Sequence, residues 1–252
     1  MSETFKTQIK NLVDDLKAVF THVGLGGEAA EYKLLTQSFL YKFLNDKFLY
    51  KAKAIDASNS YEKLIDMSEE DYTWLLKFIG TSTAWLRPDQ LIETLHRQQN
   101  ETTFYETFEN TLNQIAIDNN DIFSVHTDGD TAIRLFDERL ITDTISDSSK
   151  RNEVAKAIIN LLTRVKFDET IFSQGFDFFS TLFEYMIKDY NKDGGGKYAE
   201  YYTPHSVAKI IADILVGNEQ PSNVRIYDPS AGSGTLLMNL ASRIGVDKTT
   251  VY

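Results

Sequence analysis

The sequence contains no cysteine, only four prolines and no long uninterrupted apolar run. Without cysteine the chain forms neither disulfides nor thiolate metal sites, which fits a cytoplasmic protein. Charge breaks every longer apolar run, and the first six residues have no signal-peptide core, so no membrane segment is expected. Lysine and arginine number 26 against 37 acidic residues, a formal net charge of −11. A self-sufficient duplex-DNA binder needs a basic surface, which this composition does not indicate, so any contact with DNA would depend on partner subunits, further residues or a local patch.

Helical periodicity, in contrast, is abundant. Apolar residues at spacings of three and four predict amphipathic helices from Phe5 to Phe20 and from about Ala29 to Lys51. Similar stripes mark helices around residues 104–115, 154–165 and 171–186, and Ser68 has the position of an N-cap. We therefore predict a mainly α-helical N-terminal domain over residues 1–166, with a helix from about Phe167 to Tyr190 that fits either side of the boundary.

The stretch from Val224 to Leu237 is the central feature of the part of the chain that follows the helical domain. Val224 to Tyr227 has the composition of a short buried strand, and Pro229 ends it because proline cannot donate to a ladder. Small residues follow, and the segment from Thr235 has helical character, with Ser233 or Thr235 as its cap. Strand, glycine loop and helix in this order form the front half of a nucleotide-type binding unit.

The composition of this loop restricts its ligand. No lysine lies between Val224 and Asn239, which argues against ATP or GTP, and Leu237 stands where a dinucleotide fingerprint needs its third glycine. Asp228 places an anion at the strand tip, which suits a cationic or hydroxyl-bearing ligand such as S-adenosylmethionine and disfavours pyrophosphate. The alternative is an ordinary strand–turn–helix corner in which Asp228 only forms the turn.

A second stretch precedes the strand. Three tyrosines and a glutamate lie ahead of Thr203, the predicted N-cap of a helix with Pro204 at its first position. Branched apolar residues then recur at helical spacing and predict one buried face, formed by Val207, Ile210, Ile211, Ile214 and Leu215. Taken alone, the stretch is more typical of a glycine hinge that leads into a capped core helix.

Together the two stretches resemble the N6-adenine DNA methyltransferases, and within them the N-terminal portion of the modification subunit of type I restriction–modification systems. The resemblance implies that residues 167–252 are the incomplete start of an α/β, Rossmann-like S-adenosylmethionine-dependent methyltransferase domain. It also implies cofactor contacts from Glu200, Tyr201, Tyr202, Thr203, Pro204, His205, Asp228, Pro229, Ser230, Ala231, Gly232, Ser233 and Gly234. For His205, an exposed position in the first helical turn is an equal alternative.

The sequence departs from this family at one place. The family's base-side motif, Asn- or Asp-Pro-Pro followed by an aromatic residue, is absent because no two prolines are adjacent. An acidic residue at the end of a second strand, which Thr250 to Tyr252 is predicted to begin, is also missing. We therefore interpret the chain as the front part of a longer methyltransferase that, as given, has no catalytic residue and transfers no methyl group.

The resemblance implies methyl transfer from S-adenosylmethionine to adenine N6 in double-stranded DNA, in a complex with a specificity subunit and a restriction subunit. The alternative function is a non-catalytic helical interaction module with a vestigial nucleotide-binding corner. No metal site is expected, because the four histidines lack zinc-ligand spacing and Ile122 interrupts the acidic run that resembles a calcium loop.

Overall fold

The computed structural model describes residues 3–81, 83–123, 125–126, 132–174, 203–232 and 234–252. The chain forms two compact units, residues 2–172 and residues 173–252. In the described ranges, no helix combines the length and the apolar character needed to cross a membrane.

The first unit is mainly helical, as predicted. Its α-helices are α1 (Glu3–His22), α2 (Ala29–Ile55), α3 (Tyr61–Ile65), α4 (Glu69–Ile79), α5 (Ile92–Gln98), α6 (Phe104–Asp118), α7 (Asn120–Phe123), α8 (Leu140–Thr144), α9 (Arg151–Leu162) and α10 (Glu169–Gln174). Two 3₁₀ turns cover Pro88–Gln90 and Ser148–Lys150, and β1 (Val125–His126) pairs antiparallel with β2 (Ala132–Ile133). The predicted helix from Phe167 begins as α10, and its continuation beyond Gln174 to Tyr190 lies outside the described residues.

The apolar stripes of the sequence form the core of this unit. Helix α9 packs against α1, α5, α6 and α8, so the stripes of these helices face one another. The largest fully buried side chains are Tyr41, Phe20, Phe39, Phe48, Phe104, Phe108, Phe136, Leu16, Leu34, Leu35 and Leu64. Full burial of a leucine or phenylalanine side chain contributes about 1.5–3 kcal/mol, so this core is the main source of stability of the unit.

The two tryptophans of the chain have different surroundings. Trp74 on α4 is 54% exposed, and its ring centroid lies 6.3 Å from that of Phe78, which is 70% exposed. The ammonium of Lys77 lies 4.8 Å from the Trp74 ring centroid. Trp85 is half-buried, and its indole N–H donates a hydrogen bond of 2.7 Å to the carbonyl oxygen of Gly80. The Trp74 ring is therefore open to solvent, whereas the Trp85 ring is fixed by its hydrogen bond to the backbone.

An ion pair lies inside the unit on α2. The Lys42 ammonium contacts both carboxylate oxygens of Asp46, at 3.0 and 2.9 Å. Asp46 also accepts hydrogen bonds from the Asn45 amide (2.8 Å) and from the backbone N–H of Phe167 (2.8 Å). Burial lowers the pKa of Lys42, and the attraction of Asp46 opposes that effect. The Asn45 oxygen in turn accepts from the backbone N–H of Ile92 at 2.9 Å. The network therefore links α2 by hydrogen bonds to the backbone at Ile92 and at Phe167.

Two buried tyrosines are expected to make the first unit sensitive to alkaline pH. The phenol of Tyr41 donates to the carbonyl oxygen of Gln90 (2.6 Å), and that of Tyr72 donates to the carbonyl oxygen of Leu86 (2.7 Å). Burial, and secondly the charge of Asp89, raises the pKa of both phenols above the ordinary value of 10.0. A phenol with a higher pKa in the folded state contributes its stability fully below pH 10 and loses it as the pH rises further.

We therefore expect the free energy of unfolding to fall above about pH 10, by about 1.4 kcal/mol per pH unit for each tyrosine. Urea unfolding between about pH 8 and pH 11 measures this slope. The double variant Tyr41→Phe/Tyr72→Phe loses two hydrogen bonds at every pH, but its slope above pH 10 is expected to be flatter. Equal slopes in the parent and the double variant would contradict the assignment.

The second unit contains a parallel strand pair joined by a helix. Its elements are α11 (His205–Val216), β3 (Val224–Ile226), α12 (Thr235–Ile244), a 3₁₀ turn (Val246–Lys248) and β4 (Thr249–Val251). Strands β3 and β4 pair in parallel, with Val224 opposite Thr249 and Ile226 opposite Val251, and the Tyr252 N–H extends the ladder to the Ile226 carbonyl oxygen at 2.9 Å. Within the described part of this unit, the sheet has these two strands. The strands predicted near Val224 and Thr250 are both present. The prediction that the first is buried is wrong, because Arg225 is exposed and Tyr227, which follows the strand, is 71% exposed.

The prediction for the buried face of α11 is wrong. The residues that α11 buries are Ala208, Ala212 and Val216, and the helix packs against α12. The five branched residues predicted to be buried are 39–75% exposed, namely Val207, Ile210, Ile211, Ile214 and Leu215. Because α11 has apolar residues around most of its circumference, periodicity did not identify the contact face. The two alanines allow a closer approach of the helix axes than branched residues do.

Candidate functional site

Helices α11 and α12 lie side by side. His205, the first residue of α11, has its Nδ1 atom 3.2 Å from the amide nitrogen of Asn239, which is in the second turn of α12. Towards the other end, the Arg243 guanidinium donates to the Asp213 carboxylate (2.8 Å) and to the carbonyl oxygen of Gly217 (2.9 Å). The two helices therefore run parallel, and their dipoles point in the same direction.

The loop before α12 is shaped by its acidic residue and its glycines. Oδ1 of Asp228 accepts a hydrogen bond from the Ser230 N–H at 2.9 Å, and Oδ2 has no hydrogen-bond partner within the described residues. Gly232 and Gly234 have φ angles of +54° and +73°, a left-handed backbone that favours glycine. A Cβ atom at either position would meet nothing closer than 3.9 Å, so backbone conformation rather than lack of space explains these glycines.

The N-caps of both helices differ from the predictions by one residue. The N-cap of α12 is Gly234, rather than Ser233 or Thr235, and that of α11 is Pro204, rather than Thr203. Pro204 has extended backbone angles, and its carbonyl oxygen accepts from the Val207 N–H at 3.0 Å, so the helix begins after it. Within the described residues, neither N-cap residue, Pro204 or Gly234, makes a side-chain cap hydrogen bond.

The first amides of a helix have no carbonyl partner within the helix and carry the positive end of its dipole. A helix end without a side-chain cap can therefore offer those amides to an anion. Beside them, Asp228 provides a fixed negative charge at the tip of β3. This donor set fits a zwitterionic, amino-acid-type group, with its ammonium at the carboxylate and its own carboxylate at the amides. The methionine part of S-adenosylmethionine is such a group.

The structure describes most of the predicted site residues. Thr203, Pro204 and His205 lead into the N-terminal end of α11, and the loop from Asp228 leads into the adjacent end of α12. Pro229 and Ser230 are exposed, and Ala231 packs on the small core around Ile226. Four predicted residues lie outside the described part of the chain, namely Glu200, Tyr201, Tyr202 and Ser233. In the described ranges, no group of three or more histidine, aspartate or glutamate side chains is placed to hold a metal ion.

Sequence reasoning missed Asn239, which joins the two helices. Its side chain is 6% exposed and is the one amide among the buried residues of α12. The sequence does contain a signal for this role, because Asn239 is the one polar residue in an apolar run from Leu236 to Leu240. An amide buried in such a run requires hydrogen-bond partners.

Comparisons with known proteins show what this chain is similar to. The model of the family described as N-6 DNA Methylase matches residues 174–251, which include both helices and both strands of the second unit. A curated relative, the type I restriction enzyme MpnII methylase subunit of Mycoplasma pneumoniae, is 25% identical over 199 residues, which cover 76% of this chain and 36% of that protein.

A solved structure is also similar. The type I restriction-modification system methyltransferase subunit from Streptococcus thermophilus matches with a TM-score of 0.65 and 20% identity, over 99% of this chain and 52% of that chain. At this identity the likeness concerns the fold alone. This chain spans about a third of the length of the curated relative and about half that of the solved chain. The comparisons confirm the resemblance read from the sequence: the chain is related to the N6-adenine DNA methyltransferases and matches the N-terminal portion of the methyltransferase subunits of type I restriction–modification systems.

Proposed function

We propose that this chain is the cofactor-binding portion of a type I modification subunit, whose full-length form transfers a methyl group from S-adenosylmethionine to N6 of adenine in DNA. One observation carries the proposal. The Asp228 loop leads into α12, and α12 packs beside the first residue of α11, His205, within the segment that matches the N-6 DNA Methylase family. The parallel β3–α12–β4 connection supports the further proposal that residues 167–252 begin a Rossmann-like domain.

The proposed site residues are those predicted from Glu200 to His205 and from Asp228 to Gly234. Oδ2 of Asp228 has no partner within the described residues and is suited to the ammonium of the methionine part or to a ribose hydroxyl. The amides of the first turn of α12 are suited to its carboxylate. The bound sulfonium supplies the methyl group. The residues of this chain contribute by holding and orienting that group, which lowers the entropic part of the barrier.

The adenine must leave the duplex, because its N6 atom is otherwise inside the base stack. This chain has no Pro-Pro-aromatic motif to hold the base, so we propose that residues outside this sequence supply it and that the chain as given is inactive. We further propose that a specificity subunit and a restriction subunit are partners and that double-stranded DNA is bound through the complex in the cytoplasm. The net charge of −11 supports DNA contact through partners rather than through this chain alone.

The second candidate is a non-catalytic helical interaction module with a vestigial nucleotide-binding corner. The missing Pro-Pro-aromatic motif favours it. The gene sequence downstream of Tyr252 distinguishes the two candidates. A proline pair followed by an aromatic residue within one or two further strand–helix units, each about 30 residues long, supports the enzyme.

Calorimetric titration of S-adenosylmethionine into the full-length protein tests the proposed function directly. We expect saturable binding, together with slower hydrogen exchange of the amides from Asp228 to Leu237. ATP is the matched control ligand, and it is not expected to bind because residues 224–239 contain no lysine for its phosphates. Absence of heat together with unchanged exchange would refute the cofactor assignment.

A further inference from the structure

The contact between Asn239 and His205 defines where the imidazole proton lies. Nδ2 of Asn239 is 2.7 Å from the carbonyl oxygen of Thr235, and a carbonyl oxygen only accepts hydrogen bonds. This atom is therefore the amide nitrogen, and the orientation of the Asn239 side chain is fixed. The same nitrogen lies 3.2 Å from Nδ1 of His205. Since it donates there too, Nδ1 accepts and has no hydrogen, and the neutral imidazole carries its proton on Nε2.

We propose that Asn239 is a positioning residue of the cofactor site. It holds His205 as the Nε2–H tautomer and joins the first turns of α11 and α12. The inference rests on the proposed function, because its role is to set the relative position of two segments that bind the cofactor. His205 directly follows Thr203 and Pro204, and Thr235 directly follows Gly234. One amide thus connects the helix that begins at His205 to the helix that follows the glycine loop.

The energetics of the amide favour this role. Asn239 is 6% exposed, and burying an amide without partners costs free energy. The two hydrogens of Nδ2 have two acceptors, one on each helix, so the side chain is held in a single orientation. An apolar residue of similar size would remove that burial cost but would also remove the donor to Nδ1 of His205.

Arg243 provides a matched control on the same helix. It joins α12 to α11 at the opposite end of the pair, through Asp213 and Gly217. None of the predicted site residues that the structure describes is at that end. Its removal therefore weakens the helix pair without disturbing the Asp228 loop or His205.

The first measurement does not need the cofactor. The ¹⁵N signals of His205 in the full-length protein, assigned by comparison with His205→Gln, report the protonation of each ring nitrogen. We expect an unprotonated Nδ1 and a protonated Nε2 in the parent, and a shifted Nδ1 signal in Asn239→Leu, which lacks the amide donor to that nitrogen. A protonated Nδ1 in the parent, or an unchanged spectrum in Asn239→Leu, would overturn the inference.

The second measurement is the affinity for S-adenosylmethionine by calorimetry, together with Tm. We expect Asn239→Leu to weaken binding about tenfold, the equivalent of one lost hydrogen bond. Arg243→Ala is expected to lower Tm while leaving the affinity within about twofold. Binding by the parent with unchanged affinity in Asn239→Leu, or equal weakening in both variants, overturns the inference alone. Absence of binding by the parent refutes the proposed function and the cofactor role of Asn239 with it, whereas the ¹⁵N result still decides the tautomer.

Discussion

Replacement of Asp228 by alanine is expected to weaken S-adenosylmethionine binding by about 10- to 150-fold and to leave the fold intact. The variant removes the charge at the tip of β3, and a hydrogen bond to a charged group contributes about 1.5–3 kcal/mol. The fold is expected to survive because the hydrogen bond of Asp228 is local, to the N–H of Ser230 two residues later. Calorimetry measures the affinity, and circular dichroism during heating measures Tm.

Asp228→Asn separates charge from turn geometry. An asparagine oxygen can still accept from the Ser230 N–H, so the turn is retained while the charge is lost. If the carboxylate binds the cofactor, the asparagine variant binds nearly as weakly as the alanine variant. If Asp228 only forms the turn, the asparagine variant binds like the parent, and the pocket assignment is then wrong.

Replacement of Asp46 by alanine is expected to destabilise the first unit by about 3–5 kcal/mol. Breaking a buried ion pair leaves an uncompensated charge, here the ammonium of Lys42, and costs about this much. The alanine variant also removes the acceptor of the Asn45 amide and of the Phe167 N–H. Lys42→Met is expected to cost less, because the remaining carboxylate keeps those two donors. Urea unfolding at neutral pH measures both values.

The pair Glu93–Arg97 is a matched control for this prediction. It has the same i, i+4 spacing on a helix, but its side chains are about half exposed, with a distance of 3.4 Å. Exposed pairs of this kind contribute about 0.3–0.5 kcal/mol, so Glu93→Ala is expected to change the free energy of unfolding by less than 1 kcal/mol. Similar losses in Asp46→Ala and Glu93→Ala would contradict the role assigned to the buried network.

The elements of this fold follow closely from sequence periodicity. Helix α1 contains the whole stripe from Phe5 to Phe20 and extends two residues beyond it at each end, and Ser68 caps α4 by accepting from the Asp71 N–H at 3.2 Å. Strand β3 and helix α12 lie where the composition around the glycine loop predicts them. These features are local, because capping hydrogen bonds and turn conformations depend on residues within one helical turn.

Tertiary partners, in contrast, were not predictable from the pattern. The branched face of α11 was expected to be buried, yet its alanines face α12, because the smaller side chains allow closer packing. Lys42 and Asp46 have the spacing of an ordinary surface pair, and their burial depends on segments more than 40 residues away, near Ile92 and Phe167. The role of Asn239 likewise depends on a helix that precedes it by 34 residues, at His205.

The placement of the indole rings gives the first unit a fluorescence signal of its own. Both tryptophans lie within residues 2–172, and residues 173–252 contain none. Intrinsic emission excited at the red edge of the indole band therefore follows only the helical unit, and iodide is expected to quench Trp74 more strongly than Trp85. A ligand that binds residues 173–252 and shifts this emission would reveal communication between the units without any added label.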